Sequence, residues 1–174
     1  MYFKRLEKNM DKNTAIGAES KKKAHTITFK DEAHEEFYKN YLPKCRYQDV
    51  YHKVLVYCLG ISGDTRNHAN RIYDFKTGNV KTECLQEGFI TSGSARIIRM
   101  AFNLYCNGTP SVDDYGSHEE QLAESRCYTV EDLFCCGYAK YFMEAIKIRY
   151  PEYCYPVDWE DLFYAKSQTS GNDK

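Results

Sequence analysis

Tryptophan occurs once in 174 residues, the eight cysteines form no Cys-x-x-Cys pair, and no apolar run exceeds Val54–Ile61. Each scarcity excludes something. A bilayer-spanning helix needs roughly 20 apolar residues, so no stretch qualifies. Without cysteines at metal-ligand spacing a structural zinc site is poorly supported, and the adjacent Cys135 and Cys136 would point to different sides of a helix. The first residues, MYFKRLEKNMDKN, hold no apolar leader. That predicts a cytoplasmic protein whose thiols stay free and pack as small hydrophobes. No Gly-rich phosphate loop, GxSxG elbow or dinucleotide fingerprint appears, and there is no internal repeat and little strand-type alternation.

What the chain does have is helical periodicity and tyrosine, 16 of them beside nine Phe. Tyrosine joins apolar area to a polar tip, which suits a hydrogen-bonded core rim or a binding surface. The segment Ser94–Cys106 places Ile97, Ile98, Met100, Ala101, Phe102, Leu104 and Tyr105 around most of a helix. Arg96, Arg99 and Asn103 form one polar stripe left open to water or a partner. Ser94 is the expected N-cap, and Asn107-Gly108 the stop. Before it, Thr28 and Asp31 suggest a capping box for a helix over 31–42 with Ala33, Phe37, Tyr38, Tyr41 and Leu42 inward and Pro43 ending it. A second helix spans about 49–59 with Gly60 as its left-handed stop, and a third covers 64–75. Lys76–Asn79 is a turn and Thr82–Glu87 a short helical turn. Residues 109–127 read as a surface loop with at most one helical turn. Thr129 with Asp132 caps a short helix, and a long one follows over 138–150, closed by Pro151. Trp159, Leu162 and Phe163 suggest a final docked helix. The expected fold is all-α: a compact single domain of five to seven helices around a buried central helix at about 94–106. It divides into a basic flexible arm (1–27), a helical domain (28–165) and a disordered tail (166–174).

Net charge is only −1, but residues 1–30 carry +5 and residues 110–165 carry −8. Three constellations are candidates for chemistry. Asp31, His34 and Glu35 share one face of the first helix, as metal ligands or proton-sharing groups would; acids in a first turn are also what the helix dipole favours. His52 and His68 lie on neighbouring helices, where structural roles are commoner than ligation. Neither cofactor nor metal is expected, and catalysis is not. Arg66, Arg71, Arg96, Arg99 and Asn103 form a candidate basic face, too small for tight nucleic-acid binding; arginines paired with acids of the back third are the plainer reading. The third constellation is acidic: Asp113, Asp114, Glu119, Glu120 and Glu124, interleaved with Tyr115 and Tyr128 and followed by Glu131 and Asp132. It suits a basic groove on another macromolecule.

The stretches FKDEAHEEFY, QDVYHKVLVYCLGISGDTRNHANRIYDF, SGSARIIRMAFNLYCNG, YTVEDLFCCGYAKYF and AIKIRYPEYC resemble a bacterial domain family of unknown activity found in gut Firmicutes, their phages and other mobile elements. The resemblance spans about residues 28–154 and implies no catalytic residues. It implies a context, a bacterial cytoplasm and a mobile element, in which small proteins are often inhibitors of host defence. The nearest functional likeness is to anti-CRISPR proteins directed at the type II single-protein effector nuclease, which bind the nuclease or its guide-RNA complex and block target-DNA engagement or cleavage. The nuclease's DNA channel is strongly basic, which the acidic back third would fit. The alternative is a nucleic-acid-binding accessory protein of the mobile element, using the Lys-rich arm and the basic face.

Overall fold

The computed structural model describes residues 26–154; the greater part of the expected arm, the Trp159 helix and the tail lie outside them. Among the described residues nine α-helices follow one another: α1 Glu32–Tyr41, α2 Val50–Gly60, α3 Gly63–Asn67, α4 Ala69–Ile72, α5 Ser92–Cys106, α6 His118–Arg126, α7 Val130–Phe134, α8 Ala139–Arg149 and α9 Pro151–Cys154. Five are long, and the other four are single turns. A two-stranded hairpin, β1 Tyr73–Asp74 against β2 Asn79–Val80, joins α4 to the rest through a turn in which Gly78 takes φ +82°. The protein is a mostly helical domain, as its periodicity predicts.

The helix enclosed on every side is α2. It packs against α1, α5 and α8, and every residue from Val54 to Leu59, then Ile61, has no exposed surface. A helix apolar all round must be surrounded. Asp49 caps it, accepting from the His52 amide at 3.0 Å. Gly60 is not a left-handed stop: it remains helical, and Ile61 continues with right-handed dihedrals. Glycine is required there by proximity, because a Cβ would lie 2.3 Å from Cδ2 of His34 on α1.

The 15-residue α5 lies across α2 with Ile97, Ile98, Met100, Ala101, Phe102 and Leu104 inward. It starts earlier than its periodicity suggests. Thr91 is the N-cap, and Ser94 is the reciprocal partner of a capping box, its hydroxyl accepting from the Thr91 amide at 2.8 Å. At the other end Asn107 adopts φ 56°, one of the few non-glycine residues that tolerates it. Arg149 of α8 closes this end. Its Nε donates to the Leu104 carbonyl at 3.0 Å and a terminal nitrogen to Asn107 Oδ1 at 2.9 Å, with the Tyr51 ring centroid 3.7 Å from the guanidinium carbon. A cation at a helix C-terminus meets the negative end of its dipole.

Three further local expectations differ from the structure. On α1 the cap is Asp31, accepting from the His34 amide at 2.8 Å, and the inward residue is His34 while Ala33 is exposed. The helix expected over 64–75 breaks at His68 into α3 and α4, and its end pairs as β1. The segment expected as a loop contains the nine-residue α6, opened by a Ser117–Glu120 capping box.

Candidate functional site

The Asp31, His34 and Glu35 set does not converge. His34 is fully buried; its Nδ1 accepts from the Lys30 amide at 3.1 Å and its Nε2 donates to the Tyr57 carbonyl at 2.7 Å. Both ring nitrogens are thereby engaged and the neutral tautomer is set. Asp31 caps α1 and faces Lys30 and Arg66, while Glu35 pairs with Lys39 at 2.6 Å. The imidazole is a strut between α1 and α2. No group of three or more potential metal-ligating side chains converges among the described residues.

Burial disfavours the imidazolium and lowers the His34 pKa from 6.5 to about 4. Between these values the unfolded chain takes up a proton that the folded chain refuses. Stability is therefore fully present above pH 6.5 and is lost as pH falls towards 4. The expected loss is up to about 3 kcal/mol. Urea unfolding at pH 7 and pH 4.5 reads this out, and H34Q should remove most of the slope; an unchanged slope in H34Q would assign it to other groups.

His52 and His68 take separate partners. His52 Nδ1 lies 2.7 Å from Asp49 Oδ1 and its Nε2 3.4 Å from Tyr105 Oη, which donates to the Gly78 carbonyl and lies 3.0 Å from Tyr73 Oη. This chain ties α2, α5 and the hairpin together. His68 stacks on Phe89, centroids 3.9 Å apart, with Nδ1 2.9 Å from the Asp64 carbonyl. The buried thiols are held protonated: burial raises Cys45 to about 11 and Cys84 to about 12, and raises Cys58 as well. Raised thiols are poor nucleophiles and poor metal ligands.

The candidate basic face is not assembled. Arg99 forks onto Glu124 (Nε to Oε1 2.8 Å, a terminal nitrogen to Oε2 2.7 Å). Arg96 donates to the Asp132 carbonyl at 2.7 Å and reaches its carboxylate at 3.3 Å, and Asn103 donates to the Gly108 carbonyl. The stripe left open in the sequence is the seat of α6 and α7. Arg66 donates to the Gly60 carbonyl at 2.7 Å, and Arg71 pairs with Glu87. Arginines expected to share a surface are spread among the joints of the fold.

The acidic segment divides in two. Glu124 is only 4% exposed. Its Oε1 also accepts from Ser111 Oγ at 2.6 Å; with the serine proton so used, Tyr128 Oη must donate to Ser111 Oγ, 2.7 Å away. Burial works against the Arg99 charge, but the Glu124 hydrogen bonds and charge outweigh it and leave the guanidinium pKa raised. Glu124 and the tip of Tyr128 are thus withdrawn from the candidate partner surface, because a buried arginine needs a carboxylate. Asp113, Asp114, Glu119 and Glu120 are exposed, as is Glu131, and Tyr115 is half-buried between them and the body. Leu122, 47% exposed, and Val130, 74% exposed, stand among these acids. The Ser117-x-x-Glu120 spacing signals the helix that presents them.

The model of the family of unknown function DUF6075 matches residues 24–162 of the chain. No curated protein and no solved structure matches the chain.

Proposed function

The chain belongs to DUF6075, a family of unknown function, and from that premise we propose that it is a non-enzymatic inhibitor that occupies a cationic cleft on another macromolecule. The supporting observation is the fate of the charges. The basic set and the histidine set serve contacts within the fold, whereas Asp113, Asp114, Glu119, Glu120 and Glu131 stay on the surface with no basic side chain paired to them among the described residues. An acidic surface on a rigid support steers towards positive potential and is repelled by nucleic acid. Given the resemblance of the sequence to proteins of phages and mobile elements, the target proposed is the type II CRISPR effector nuclease with its guide RNA, whose DNA channel is basic.

The test is a pull-down with purified nuclease and guide, followed by a DNA-cleavage assay. Changing Asp113, Asp114, Glu119 and Glu120 together to Asn and Gln should weaken binding by about tenfold or more, chiefly through a slower association rate. Glu124 is left intact because it is structural. Undiminished inhibition by this variant would sink the reading. A gel-shift titration at two salt concentrations separates the alternative of a nucleic-acid-binding accessory protein, which has lost its basic stripe to internal contacts and would rely on the Lys-rich residues 1–24. Tight, salt-sensitive binding to naked duplex would put that alternative first.

A further inference from the structure

An ordinary surface helix turns its apolar stripe to the core and its charges to water. Helix α6 does the reverse. The residue it buries is Glu124, gripped by Arg99 and Ser111, and on the same side Gln121 donates to the Tyr115 carbonyl at 2.9 Å. Leu122 and Ala123 are exposed, between Glu119 and Arg126. These four residues stand at i, i+3, i+4 and i+7, so they form one outward face. The Arg99–Glu124 fork fixes the rotation of the helix, because a bidentate pair admits one orientation. Val130, the first residue of α7, adds a second outward apolar side chain. The exposed acids Glu119 and Glu120 of α6 and Glu131, next to Val130 on α7, form its acidic rim.

From this we infer that the outward face of α6 is a docking surface for a cationic amphipathic helix of a partner protein. The Lys and Arg of such a helix would meet the acidic rim, and its apolar stripe would cover Leu122 and Ala123. The inference rests on the proposed reading that the acids face a cationic partner, and it names the apolar centre that charge alone would not need. The same rim disfavours an anionic occupant, and a second copy of this chain would bring like charges against it.

The full chain, isotopically labelled, is titrated with two synthetic peptides of equal length and charge, one alternating Lys with Leu at helical spacing and one with Ser in place of Leu. The Lys/Leu peptide should bind about tenfold tighter or better, since one buried leucine suffices for such a factor, with amide shifts centred on residues 119–130. L122D should erase that preference although it adds an acid, while circular dichroism stays unchanged because Leu122 has no part in the core. Equal affinity for the two peptides, no binding of either, a preference that survives L122D, or shifts centred elsewhere would each overturn the proposal. So would sedimentation showing a wild-type dimer and a monomeric L122D, which would make a second copy the occupant. The acidic reading fails separately: in that case the acid-to-amide variant binds the Lys/Ser peptide as well as wild type does.

Discussion

E124Q is expected to cost about 3–5 kcal/mol, the usual penalty for removing one partner of a buried ion pair. In a chain of this length that is a fall in Tm of roughly 6–20 °C. Glutamine keeps the volume but supplies no charge. It would leave the Arg99 guanidinium, whose side chain is 13% exposed, without its carboxylate, and would weaken the acceptor that Ser111 and Tyr128 organise themselves around. Leu122 points away from the body, and Glu124 is the only buried residue of α6. The helix therefore has little apolar attachment to fall back on. Removing both charges should do less harm: R99M/E124L should recover most of the loss, because an apolar pair of similar volume avoids the desolvation of two ions. Thermal melts of wild type, E124Q and the double variant decide the matter. Equal stability of wild type and E124Q would mean that the pair holds nothing in place.

G60A is expected to be comparably damaging, by about 3–5 kcal/mol, against the gain of nearly 1 kcal/mol that alanine normally brings to a helix interior. The added methyl would meet His34 Cδ2 at 2.3 Å, Nε2 at 2.9 Å and Phe37 Cδ1 at 3.2 Å. None of these is a free side-chain end. The imidazole is pinned by the Lys30 amide and the Tyr57 carbonyl, so any retreat breaks a buried hydrogen bond. Denaturant unfolding gives the number, and a neutral or stabilising G60A would mean that α1 moves aside without cost.

These two positions show what was legible in the sequence. Periodicity located the five long helices except α6, since a helix whose buried face is Glu124 and whose open face is Leu122 has no apolar stripe to detect. Only the Ser117–Glu120 capping spacing marked it. Gly60 was visible as a punctuation mark, but its reason, the ring of His34 from another helix, depends on a contact between distant residues. Spacing alone groups His34 with Asp31 and Glu35, because it cannot tell an outward imidazole from one turned into a neighbouring carbonyl. The polar stripe of α5 is visible in the sequence, but it is not open to water or a partner: Arg96 and Arg99 are taken up by Asp132 and Glu124. The acids that cover it come from a later part of the chain, and the pairing of Arg99 with Glu124 rather than Glu119 or Glu120 is a contact between residues 25 positions apart.

The seal that Arg149 places on the Leu104 carbonyl and Asn107 bears on the order of assembly during synthesis. A ribosome releases Ser92–Cys106 well before it releases the arginine that finishes them. Until then the carbonyl end of that helix is left to water, and the Tyr51 ring that flanks the guanidinium has nothing to close upon. That end of the helix is thus completed only after Arg149 has emerged, so a contact across 45 positions of sequence waits on a single side chain.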